Sequence, residues 1–99
     1  MRVLFANKKL DRLEYDSTYT GGFSRDVVRS FRKRLDLIRA AQDERDFPHL
    51  GAVCYEKLKG DRRGQWSMRL AGRWRLILQY AYDDAGKIVV ILDIADYHH

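Results

Sequence analysis

Cysteine is nearly absent from this chain. Cys54 alone cannot form an internal disulfide, and no ligand-like spacing surrounds it, which excludes a zinc framework and points to a reducing cytoplasm. Proline is as scarce, with only Pro48, and no Gly/Ser/Pro-rich stretch offers a linker, so the 99 residues read as one domain, 1–99. A chain of this length buries roughly two thirds of its unfolded surface around a single core. Long apolar runs are missing too. The longest, Ile88 to Leu92, falls far short of the roughly 20 residues of a membrane span, and the amino terminus lacks the apolar stretch of a signal peptide. No membrane role is expected.

Acidic residues are scarce in one place. Residues 51–75 hold seven Lys or Arg against two Asp or Glu, within a chain of net charge +5, whereas residues 76–99 hold one against four. A basic middle quarter suits a polyanion, because neutralising phosphates supplies much of the affinity for nucleic acid. The competing reading is a solvated charged surface.

What is present is a globular mixture, 45% apolar and 12% aromatic. Arg2 to Ala6 reads as a short strand. Asn7 can cap a helix through about Tyr15, with Leu10 and Leu13 inward, and Ser24 can cap a longer one. There Val27, Val28, Phe31, Leu35, Ile38 and Ala41 recur at helical spacing, and Arg25, Arg29, Arg32, Lys33, Asp36 and Arg39 occupy the other face. From Val53 onward the period becomes two, which predicts three or four strands. Trp66, Met68 and Leu70 alternate with polar residues, as do Trp74, Leu76, Leu78 and Tyr80. Matching the faces sets Leu70 opposite Trp74 across the loop Ala71, Gly72, Arg73, and Arg69 opposite Arg75. Two like charges facing each other suit an anion between them, or else splay into water. Lys87 to Ile94, apolar on both faces, reads as a central strand. The expected architecture is α+β, with a short N-terminal strand and two helices on one face of a small antiparallel sheet whose other face is partly open and basic.

Three clusters can meet on that face: Lys57, Lys59, Asp61, Arg62 and Arg63 around a turn from Gly60 to Gly64; Arg69, Arg73 and Arg75 on the hairpin; and the tail Asp96, Tyr97, His98, His99. Cutting RNA without a metal needs a base for the 2′-hydroxyl proton, an acid for the departing 5′-oxygen, and cations for the charge growing on phosphate. Arg, Lys, Tyr and His supply those groups, and Tyr97 can also stack on a base. Duller readings stand beside these. Trp66 and Trp74 share the core parity of their strands, and Tyr55 and Tyr80 read as structural. Cys54 reads as a small core residue on a strand. His49 is a loop histidine, and His98 and His99 are equally a frayed terminus. Glu56 shares parity with Cys54 and Leu58, so it is either partly buried or displaced by a bulge, and both would perturb its pKa. Arg75→Ala, taken as a surface change, is expected to cost stability within about 0.5 kcal/mol.

The run Glu56-Lys57-Leu58-Lys59-Gly60-Asp61-Arg62-Arg63-Gly64-Gln65-Trp66-Ser67, then Gly72-Arg73-Trp74-Arg75 and a terminal Asp96-Tyr97-His98, resembles the HigB branch of the RelE/ParE toxin superfamily over nearly the whole chain. The resemblance implies a ribosome-dependent mRNA endonuclease that cuts message in the decoding site without metal or cofactor, and a HigA-like helix-turn-helix antitoxin as partner. It assigns Lys59 to binding or polarising the phosphate and Arg75 to its developing charge, with Asp96, Tyr97 and His98 completing the catalytic group. Lys57, Arg62, Arg63, Arg69 and Arg73 would contact RNA or the ribosome. Some relatives carry His where this chain has Glu56, leaving Glu56 and His98 as alternative bases. The competing functions are a non-nuclease toxin of the same fold, as in the ParE-like branch that acts on DNA gyrase, and a catalytically inactive binding protein.

Overall fold

Two side-chain caps start the helices where the sequence places them. In the computed structural model, which describes residues 1–96, the Asn7 side chain accepts from Leu10 N at 3.0 Å and opens α1 (Lys8–Tyr15). Ser24 Oγ accepts from Val27 N at 3.2 Å and opens α2 (Arg25–Ala40). Leu10 and Leu13 of α1 and Val27, Val28, Phe31, Leu35 and Ile38 of α2 are buried against the sheet. This is the inward stripe that the helical spacing predicts.

Five strands form that sheet: β1 (Arg2–Phe5), β2 (Glu56–Lys57), β3 (Trp66–Arg69), β4 (Trp74–Asp83) and β5 (Gly86–Asp96), in the order β1-β5-β4-β3-β2. β5 is an inner strand, as its two apolar faces predict. The sheet is not wholly antiparallel, because β1 lies parallel to β5 with Val3 beside Val89. Alternation within four residues carries no information about strand direction, which here follows from the helices that separate β1 from the other strands.

The hairpin register matches the parity argument. Leu70 N donates to Trp74 O at 2.9 Å, and Arg69 stands opposite Arg75. Gly72 takes the left-handed conformation of the connecting loop (φ 57°), which a β-carbon would strain. One irregularity breaks the long β4–β5 ladder. Ile77 pairs with Asp93 but Leu78 pairs with Ile91, so Leu92 is the extra residue of a bulge. Past the bulge Asp93, paired with Ile77, lies on the face opposite the helices.

Residues 44–53 form two 3-10 turns, Glu44–His49 and Gly51–Val53, that helical and strand periods do not describe. Phe47 from the first is fully buried in the main core. Trp66 and Trp74 are half-buried against the same core, and the hydroxyls of Tyr55 and Tyr80 bond each other at 2.7 Å. Burial pushes both phenols above their ordinary pKa. These four aromatics are structural, as expected.

Two surface carboxylates make the fold acid-sensitive. Asp16 accepts from the hydroxyl and backbone N–H of Thr18 and pairs with Arg12, which pulls its pKa down to about 2. Asp83, bonded by Arg2 from β1, is likewise held at about 2. A folded-state pKa below the unfolded one contributes stability above the unfolded value, near 3.8 here, and loses it as pH falls through the folded value. The melting temperature should therefore fall between about pH 5 and pH 2. Asp16→Asn/Asp83→Asn should flatten that dependence, and an unchanged slope in the double variant would assign it to other groups.

Candidate active site

The face away from the helices is built by cross-strand pairing. Glu56 pairs with Ser67, Ser67 with Ile77, and Ile77 with Asp93, forming one row across β2, β3, β4 and β5; Arg69, Arg75 and Ala95 form the next. Paired residues share a face, so Glu56, Ser67, Arg69, Arg75 and Asp93 lie together. Ser67 is fully buried, the one polar side chain among the buried residues described.

Arg75 takes neither of the courses expected for facing arginines. Its guanidinium leans diagonally along β3, away from Arg69. Nε donates to Ser67 Oγ at 2.7 Å, and one terminal nitrogen donates to the carbonyl of Cys54. A guanidinium has five N–H donors, so three remain for a ligand. The like-charge conflict is relieved by a bent side chain, and no intervening anion is needed. Arg69 stays exposed.

Cys54 corrects a sequence reading. It is exposed and sits outside any strand, at the end of the second 3-10 turn, in a left-handed conformation (φ 48°) and as the only non-glycine residue with positive φ among those described. That turn aims its carbonyl at Arg75. The segment is anchored from the other side by Arg34 of α2, which donates to Arg69 O at 2.9 Å and Ala52 O at 3.3 Å. Neither alternative for Glu56, partial burial or displacement by a bulge, is observed: β2 is two residues long and pairs with β3 without a register shift, and Glu56 is exposed on it. Two residues at a sheet edge give parity nothing to bury against.

Around this centre the cations divide into paired and available. Arg62 bonds Gln65 Oε1 at 3.1 Å and Asp93 at 3.3 Å; Arg73 pairs with Asp96 at 3.3 Å. Each acidic residue that the bulged end of β5 presents thus takes one arginine. Lys57, Lys59, Arg63 and Arg69 are exposed and carry no ion pair among the described residues. Gly60 (φ 66°) turns the chain behind Lys59 into a short 3-10 turn, Gly60–Arg62, which presents Lys59 and Arg63 at its two ends. Lys57 departs from the expected cluster, since it pairs with Trp66 and so lies on the helix-side face of β2, opposite to Glu56. Asp96, opposite Trp74, joins the hairpin cluster at the sheet's end through Arg73. Tyr97, His98 and His99 lie outside the described residues.

Ser67 and the Cys54 carbonyl are the parts of the site that residue chemistry alone passes over. Ser67 had one legible signal, a small hydroxyl two residues before Arg69 on the polar parity of β3; a backbone carbonyl has none. No group of three or more His, Cys, Asp or Glu side chains is placed to hold a metal ion among the described residues.

Comparison with known proteins bears on this arrangement. Residues 3–98 match the family model described as the RelE-like toxin of the type II toxin-antitoxin system HigB. Endoribonuclease HigB of Proteus vulgaris is 32% identical over 96 residues, covering 95% of this chain and 96% of the relative. Among solved structures, a YoeB/ParE toxin from Agrobacterium tumefaciens aligns with a TM-score of 0.62 at 22% identity, covering 99% of this chain and all of the other. The toxin-antitoxin YoeB-YefM complex from Staphylococcus aureus aligns at 0.57 and 22%, covering all of this chain and 98% of the other. These likenesses share the α+β fold. Matched from its first strand to its last residues but one, the chain belongs to the HigB-like branch of the RelE-like toxins of type II toxin-antitoxin systems.

Proposed function

We propose that the protein is an endoribonuclease that cuts mRNA in the ribosomal A site, without a metal, and so inhibits translation. The observation that carries this reading is Arg75, held with three donors unspent on the face it shares with Arg69, in a chain whose neighbouring 3-10 turn presents exposed Lys59 and Arg63. That arrangement suits a phosphodiester better than a neutral ligand, and its openness suits a polymer. The 32% identical Endoribonuclease HigB supports the same chemistry.

In the proposed reaction the 2′-oxygen attacks the adjacent phosphorus while a base takes its proton. The bond to the 5′-oxygen breaks, that oxygen receives a proton, and a 2′,3′-cyclic phosphate is left. Lys59 and Arg75 neutralise the charge that accumulates on the non-bridging oxygens. Tyr97 stacks on or orients a base of the message, and His98 exchanges protons. Asp96 steadies Arg73 at the edge of the site. Arg62, Arg63, Arg69 and Arg73 serve contacts to RNA and ribosome, with Arg62 already braced by Asp93, and Lys57, on the other face of β2, is left to contact the ribosome alone.

A chain this small has little surface with which to hold free RNA in a reactive geometry, so the ribosome supplies that positioning. The protein would act in the cytoplasm, and an antitoxin of the HigA-like helix-turn-helix kind would restrain it; the solved YoeB-YefM assembly supports a protein antitoxin. Induced expression without a partner, followed by mapping of mRNA 5′ ends, should show cuts inside translated frames. In purified form the protein should cut ribosome-bound message and leave the same message intact when free. Equal cleavage of free RNA would remove the ribosome from the mechanism. Growth arrest without cuts would favour the gyrase-directed or inactive alternatives.

A further inference from the structure

We infer that Ser67 and the left-handed turn at Cys54 form a two-point clamp that sets the direction of the Arg75 guanidinium for the reaction. Ser67 is a positioning residue here, acting through Arg75. The inference rests on the proposed role of Arg75 at the phosphate.

Three observations carry it. A hydroxyl excluded from solvent on the sheet face opposite the helices needs a partner, and Ser67 Oγ has one in Arg75 Nε at 2.7 Å. The Cys54 carbonyl, the second acceptor, is presented by a backbone conformation that non-glycine residues rarely adopt and that persists only where surrounding structure holds it. The surrounding structure is Arg34, whose guanidinium ties Ala52 O of that turn and Arg69 O of β3 to α2. The clamp therefore reaches from the helix layer through the 3-10 turn to the open face. An arginine side chain left free on a strand samples many rotamers. Bonded at Nε and at one terminal nitrogen, it keeps one edge of its fork directed outward. Holding that edge before the message arrives removes an ordering cost from the transition state.

Single-turnover cleavage of ribosome-bound message tests this. Ser67→Ala should lower the maximal rate about ten- to hundredfold, the loss expected of a misplacement near 1 Å, while the concentration giving half-maximal rate stays the same. Ser67→Thr, which keeps the hydroxyl and suits a strand, should recover most of the rate. On an Arg75→Ala background, Ser67→Ala should add almost nothing, because its effect passes through that guanidinium. At the turn, Cys54→Val should cost more than Cys54→Gly, since a β-branched residue resists positive φ and glycine does not. A readout free of activity accompanies these: the Arg75 Nε–H proton should exchange slowly with solvent in the wild type and quickly in Ser67→Ala.

A folded Ser67→Ala enzyme cutting at the wild-type rate overturns the clamp, and so does an equal loss with and without Arg75, which would make Ser67 merely structural. If Arg75→Ala itself cuts normally, the catalytic reading of Arg75 fails instead, and slow Nε–H exchange still reports whether the clamp exists.

Discussion

Arg75→Ala is expected to lower single-turnover cleavage of ribosome-bound message by roughly a hundredfold or more, the scale on which one preorganised charge-stabilising donor acts. Stability should change as well. The sequence places Arg75 on a polar face, where a substitution costs within about 0.5 kcal/mol. The structure raises that expectation, because truncation strips the fully buried Ser67 hydroxyl of the Arg75 bond and frees the carbonyl of a left-handed turn. Leaving a buried polar group without its partner costs about 1–3 kcal/mol. Pairing the change with Ser67→Ala should return part of that loss without returning activity. Arg75→Lys keeps the charge but loses the planar fork, so it should recover little cleavage. Denaturant unfolding alongside the cleavage assay separates the two effects. An Arg75→Ala protein that folds and cuts normally would take Arg75 out of the site.

The residues that make Arg75 recognisable are legible in the sequence, and those that aim it are not. Parity alone sets Leu70 against Trp74 and Arg69 against Arg75, because strands with one buried face tolerate no slip of one residue. The helix caps at Asn7 and Ser24 are equally local, each side chain reaching a backbone N–H three residues on. The segment from 44 to 57 resists the same logic. Its 3-10 turns and two-residue strand are too short to show a period, so parity wrongly carried Cys54 into a strand and left Glu56 between partial burial and a bulge, neither of which it shows. What places that segment is remote: Phe47 sunk in the core, Arg34 on the Ala52 carbonyl, Arg75 on that of Cys54. Pairing direction is likewise a tertiary property, which is why β1 proves parallel to β5. The bulge at Leu92 that turns Asp93 toward Arg62 could not be read from an unbroken apolar run.

Proton transfer gives the other large expected effect. His98→Ala should damage cleavage more than Glu56→Gln, by about tenfold or more within the range that general acid-base groups contribute. Imidazole is matched to proton exchange near neutrality, its ordinary pKa being about 6.5, whereas a carboxylate reaches that range mainly when burial disfavours its charge. Glu56 has no such burial: it is exposed on a two-residue edge strand. It shares its face with Arg75 through the Ser67 row, a place from which a carboxylate can orient cations. Glu56→Gln keeps shape and hydrogen-bonding reach while removing the charge, so its modest effect should appear chiefly in message binding. Adding Glu56→His to His98→Ala should restore part of the lost rate if the two positions serve one proton. Single-turnover assays on ribosome-bound message, with folding and ribosome binding verified for each variant, decide the order. A larger loss for Glu56→Gln than for His98→Ala would move the base to Glu56, and would require message binding to desolvate a carboxylate that the free protein leaves in water.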